Sequence, residues 1–130
     1  MNISWSIDAG ARIVRLAYSG DPDFAKWAVV MEEIFRHPDY RRGFAFIADL
    51  SESAIPDPEH LRQVRHFLET HEDAIGGCRW ANVTTNPAHY GMTRMAQVFV
   101  EGMPTTLGVF SSSEEAEAWI RTGFEEDAPE

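Results

Sequence analysis

The chain has 130 residues, 44% of them apolar and including eight Phe and four Trp, and sets 11 Lys+Arg against 21 Asp+Glu for a net charge of −10. That length fits one domain, and that apolar content is enough for a packed core, which excludes a disordered chain. From Glu114 onward seven acidic residues accompany one basic residue, Arg121, a net of −6 that leaves only −4 for everything before it. The acidity therefore belongs to the last helix and the tail. Without a basic patch the chain lacks the counterion-release affinity of a DNA or RNA binder, and an anionic membrane surface is disfavoured on the same grounds. The single cysteine, Cys78, excludes an intramolecular disulfide framework and any CxxC-type site. Placed between Gly77 and Arg79 at the start of an apolar run, it reads as a buried, inert thiol. A secretory leader and a membrane-length apolar run are not recognisable, which points to the cytoplasm and against stable membrane insertion.

Ile3, Trp5 and Ile7 alternate with Ser4 and Ser6, the period of a half-buried strand. Asp8 to Ala11 reads as a turn, with Gly10 expected to supply any positive φ, and Arg12 to Tyr18 resumes a strand with Val14, Leu16 and Tyr18 on one face. Asp21-Pro22-Asp23 then starts a helix, with Asp21 as the expected cap. Phe24, Trp27, Met31, Ile34 and Phe35 give that helix one apolar face, and His37-Pro38 ends it. Phe44 to Leu50 is a nearly continuous apolar run, as in a strand covered on both faces.

Asp57-Pro58-Glu59 opens the next helix, marked by Leu61, Val64 and Leu68 and stopped by Gly76-Gly77. Trp80 to Thr84 is a short strand. Asn86-Pro87 opens a third helix carrying Met92, Met95, Phe99 and Val100, which Gly102 ends. Thr105 to Phe110 is the last strand, and Ser112 with Glu115 forms a capping-box pattern ahead of Ala116, Trp119 and Ile120. The order is β-β-α-β-α-β-α-β-α. It predicts an α/β domain over residues 1–124, a mixed sheet of four to five strands, parallel except for its N-terminal strand, with four flanking helices. Residues 125–130 are expected to be a frayed acidic tail.

Three segments resemble the anti-sigma-factor-antagonist family, the STAS or SpoIIAA-like domains, and in particular the bacterial STAS-like branch related to CRAL-TRIO lipid-binding domains. They are the Phe24-to-Phe35 helix leading through His37-Pro38 to Gly43–Leu50, the run Tyr90-Gly91-Met92-Thr93-Arg94-Met95, and Val109-Phe110 followed by Glu114–Ile120. The resemblance implies a SpoIIAA-like fold and a module that binds a protein or a ligand. It departs from the regulatory members at one position: where they place a phosphorylatable serine, this chain has Asp57-Pro58. Proline accepts no phosphate, and Ser51 and Ser53 lie upstream of the site, so the phosphoserine switch is not carried over.

Catalytic motifs are equally hard to find. His60 and His71, eleven residues apart, would be about three helical turns apart along the axis, too far to hold one metal ion. No GxSxG elbow surrounds any serine, and Gly76-Gly77 follows a helix rather than opening one. Neither a catalytic residue, a cofactor nor a metal is therefore expected. The expected binding surface lies at the C-terminal ends of the parallel strands, where ligands of open α/β sheets bind. Asp49, Ser51, Asn86, Tyr90 and Arg94 should meet there, with Tyr90 and Arg94 four residues apart on one helix face. The leading expectation is a non-enzymatic regulatory or protein-interaction domain, with self-association left open. The alternative is a binder or carrier of a small apolar or lipid-like ligand, suggested by the Met- and Phe-rich third helix.

Overall fold

The computed structural model describes residues 1–126. Strands β1 (Asn2–Asp8) and β2 (Ile13–Gly20) form an antiparallel hairpin in the register Asn2↔Ser19 to Asp8↔Ile13. Its turn is fixed by the Ala11 amide, which donates to Asp8 Oδ1 at 3.0 Å. The positive φ expected at Gly10 falls instead on Arg12, at 60°. The guanidinium of Arg12 sits 4.0 Å from the centroid of the Phe124 ring, a cation–π contact that offsets the strain of a side chain in the left-handed region.

Helix α1 (Phe24–Arg36) starts one turn element later than expected: Asp23, not Asp21, is the cap, accepting from the Lys26 amide at 3.2 Å. Strand β3 (Ala45–Ser53) runs three residues beyond the apolar stretch. Helix α2 (Pro58–Thr70) is capped by Asp57, which accepts from the His60 amide at 2.9 Å. A single-turn helix α3 (Glu72–Ile75) follows, making five helices among the described residues where four were expected. Its four residues have no helical periodicity of their own, and it ends on Gly76 with φ 65°, a value that favours glycine. Strand β4 (Arg79–Val83), helix α4 (Pro87–Phe99), strand β5 (Thr106–Phe110) and helix α5 (Ser113–Glu126) complete the order. Glu125 and Glu126 thus belong to α5, and the rest of the expected tail, residues 127–130, lies outside the described residues.

The strands lie in chain order, β1-β2-β3-β4-β5, with every pair after the first parallel. Right-handed crossovers that always advance in one direction must leave their helices on one face. That is what is found. Val14, Leu16, Phe46, Ala48, Leu50 and Trp80 face α1 and α2, while Ile13, Ala45, Ile47, Ala81 and Val83 face α5. The two sets alternate along each strand, so β3 is covered on both sides. Phe46 stacks on Trp80 at 4.5 Å and 13°, and Trp27 meets Phe67 edge-on at 5.0 Å. Such pairs add about 0.5–1.5 kcal/mol each beyond their buried area. Cys78 is buried, and that burial pushes its thiol up to about 12, so it stays protonated and unreactive. No helix among the described residues is long and apolar enough to cross a membrane.

Helix α5 is held to the start of β4 by Arg79. Its Nη1 donates to the Trp119 carbonyl at 2.7 Å and to Thr122 Oγ1 at 2.9 Å, and its guanidinium lies 5.0 Å from the Trp119 ring centroid. Gly123 leaves room for that stem: a Cβ there would stand 2.5 Å from Arg79 Nε and 2.6 Å from its Cδ. Gly123→Ala should therefore destabilise the protein by about 1–3 kcal/mol through overpacking, although Ala in an open helix would gain about 1 kcal/mol. Combining it with Arg79→Ala should recover the helix gain, measured as urea midpoints in a double-mutant cycle. A stabilising Gly123→Ala on its own would show that Arg79 is not pinned.

Candidate functional site

A cavity of about 130 Å³ lies between α2, α4 and the face of the sheet that those helices cover. Leu61, Val64 and Leu68 of α2 form one wall, Met92, Ala96 and Phe99 of α4 the other, and Leu50, Trp80 and Leu107 the floor. None of the described residues lining it is Asp, Glu, Lys or Arg. Its polar groups are few, and two of them, Tyr18 and Asn82, accept from indoles of the aromatic core.

Two hydrogen-bonded chains reach the wall. In the first, Trp27 Nε1 donates to the Tyr18 hydroxyl at 2.9 Å. In the second, Trp80 Nε1 donates to Asn82 Oδ1 at 3.2 Å, and Asn82 Nδ2 donates to Thr93 Oγ1 at 3.2 Å. The indole can only donate, so the atom of Asn82 facing Trp80 must be the oxygen, which fixes the orientation of the amide. Tyr18, Asn82 and Thr93 all line the cavity. Burial raises the Tyr18 phenol well above its ordinary value, against a smaller opposing effect of the Trp27 hydrogen bond, so the hydroxyl keeps its proton.

Two histidines complete the lining. His89, buried on α4, has Nε2 2.7 Å from the Ser53 carbonyl. A carbonyl only accepts, so Nε2 carries the proton and the contact ties the end of β3 to the start of α4. The end of β3 is turned toward α4 by an irregularity in its pairing: Ala17↔Asp49 is followed by Ser19↔Glu52, one extra residue on β3, which exchanges the faces of the residues beyond it. Ser53 accordingly lines the cavity. His60 stands on α2 at 6.3 Å and 79° from the Phe24 ring. Desolvation lowers its pKa, and the carboxylates of Asp57 and Asp23 oppose that shift in part.

The five residues expected at the strand ends fall into three places. Asp49 follows Ala45 and Ile47 on the face that α5 covers, is exposed, and accepts from the Ser51 amide at 2.9 Å and from Ser51 Oγ at 2.5 Å. Asn86 caps α4, its Oδ1 accepting from the Ala88 amide at 2.9 Å. Tyr90, half exposed at 50%, and Arg94 lie on the outer side of α4. Among the described residues no hydrogen bond or ion pair joins Asp49 and Ser51 to Tyr90 or Arg94; His89 makes the link between the two elements. The inward positions of α4 are His89 and Thr93, one residue out of phase with Tyr90 and Arg94. Of the residues missed from sequence, Asn82 carried a usable signal: an amide at an inward position of an apolar central strand is costly unless it is hydrogen-bonded.

The lowered pKa of His60 has a consequence for stability. The unfolded imidazole, near pH 6.5, binds a proton before the folded one does, so the stability His60 contributes is present above about pH 6.5 and is lost as pH falls toward the folded pKa. Between about pH 7.5 and 5.5 the wild type should lose more stability than His60→Gln, read as urea midpoints. Equal losses in the two proteins would mean that His60 is solvated like a free imidazole.

The family models contain no match to this chain, and neither do the curated proteins. Among solved structures, that of an uncharacterized DUF3478-family protein from Shewanella loihica PV-4, which has a SpoIIAA-like fold, superposes with a TM-score of 0.64 over 91% of this chain and 93% of the other, at 15% identity. An identity that low carries the fold and leaves the function to the site itself. The five-stranded mixed sheet, its strand order and its helices are those of a SpoIIAA-like fold.

Proposed function

We propose that this domain is a binding module for a small, neutral, largely apolar molecule held between α2 and α4. The observation that carries the proposal is the cavity: about 130 Å³, walled by Leu, Val, Met and Phe side chains and lined by no carboxylate, lysine or arginine among the described residues. The pocket is partly open to solvent between the two helices, so a small molecule can enter it without the core being opened. An apolar cavity of roughly 150 Å³ takes up benzene, so this one suits a single ring or a short branched chain. A longer chain would have to leave part of its length outside, through the open side of the pocket. What the lining offers is burial plus a few hydrogen bonds, the chemistry of a carrier or sensor.

A protein-docking role is the second reading. It is supported by the outer side of α4, where Tyr90, Met95 and Val98 are exposed at 50%, 43% and 66% around Arg94. The Asp49–Ser51 pair and Asn86 would flank such a partner at the strand ends.

Thermal unfolding with and without a ring-sized probe separates the two. Saturating benzene should raise the Tm of the wild type, because a ligand bound only by the folded state stabilises it. Ala96→Phe, which fills the cavity from α4, should fold and lose that response. Tyr90→Ala with Arg94→Ala should keep it in full. A wild type whose Tm ignores benzene, or an Ala96→Phe variant that still responds, would contradict the ligand-binding reading.

A further inference from the structure

Resting on the reading of this cavity as a ligand site, we infer that its ligand carries a hydrogen-bond acceptor, a neutral carbonyl or ether oxygen, received by the hydroxyl protons of Thr93 and Tyr18. The inference comes from the direction of the two hydrogen-bonded chains. Each begins on an indole N–H, which can donate and never accept. Trp27 therefore commits the Tyr18 oxygen to accepting, at 2.9 Å, and the phenolic proton is left to donate elsewhere. Trp80 commits Asn82 Oδ1 to accepting, which turns Nδ2 toward Thr93 and commits Thr93 Oγ1 to accepting in its turn. The Thr93 proton is then the open end of that chain.

Neither hydroxyl donates to any acceptor among the described residues, though both line the cavity. Thr93 is buried to 3% exposure, so its proton has the cavity as its outlet. His89 spends its Nε2 proton on the Ser53 carbonyl, so that donor is not offered to a ligand. The cavity thus presents donors set in an apolar wall. A ligand with a carbonyl satisfies them, a hydrocarbon of the same shape leaves them bare, and a charged ligand meets no Asp, Glu, Lys or Arg side chain among the described lining residues. A small cyclic or branched ketone, ester or ether has the required chemistry.

Cyclohexanone and methylenecyclohexane, which differ only in an exchange of C=O for C=CH2, provide the test on the full chain. In the wild type both should bind. In the double variant Thr93→Val with Tyr18→Phe, cyclohexanone should weaken by roughly three- to tenfold, the ordinary worth of a hydrogen bond, while methylenecyclohexane changes by less than about twofold. Removing both hydroxyls also frees Asn82 Nδ2 and the Trp27 indole of their acceptors, a cost to stability that falls on both probes alike. Infrared spectroscopy of the wild-type complex gives a readout that needs no variant: the bound ketone's C=O stretch should lie below its frequency in an alkane. Equal loss of both probes, no loss of either, or an alkane-like stretch would overturn the acceptor assignment while leaving the cavity a ligand site. Failure of both probes to bind the wild type would overturn the ligand reading and this inference with it.

Discussion

The handedness of the crossovers governs the arrangement of everything else. Strands β2 to β5 are laid down side by side in chain order and run parallel, so each connection must cross the sheet in the same sense. α1, α2 and α4 are thereby committed to one face, and α5, which has no strand after it among the described residues, is the element that can cover the other. With α2 and α4 side by side, α4 lying against β5, the fit between their inward side chains decides whether that face closes. Thr93 and Ala96 are small, and the face does not close completely.

Polar groups in such a place demand an explanation, because an amide or hydroxyl shut away from water without a partner costs about 1–3 kcal/mol. Every buried side-chain nitrogen and oxygen among the described residues has a partner. For Tyr18 and Asn82 the partners are the two tryptophans of the aromatic core, Trp27 and Trp80, which lie 6.3 Å apart and pack on Phe67 and Phe46. The same residues that fill the core therefore set the orientation of Asn82 and the hydroxyls. The packing of the core and the polarity of the cavity wall are a single arrangement, and a change to either indole would alter both.

Much of the fold was legible in the sequence because its signals are local and periodic. The alternation of Ile3, Trp5 and Ile7, the apolar run at β3, and the Asp-Pro and Asn-Pro helix starts each dictate an element without reference to the rest of the chain. What escaped was phase and fine termination. Asp21 and Asp23 both suit a cap, and it is Asp23 that accepts from the Lys26 amide. Helix α3 is too short to show a period, and the pairing irregularity at Ala17 and Ser19 leaves no trace in composition. In the candidate site the right segment of α4 was found, but its charged and aromatic members drew attention to Tyr90 and Arg94. A rotation of one residue brings His89 and Thr93 to the inside instead. Met95 illustrates the same ambiguity: apolar in sequence, it is 43% exposed.

A crystal of the protein pressurised with xenon tests the cavity itself most directly, since xenon enters apolar cavities of this size without needing any polar contact. An ordered xenon atom between Trp80, Met92 and Leu61 is the result the account predicts. A crystal structure in which α2 and α4 close over that space, with no xenon between them, would contradict it.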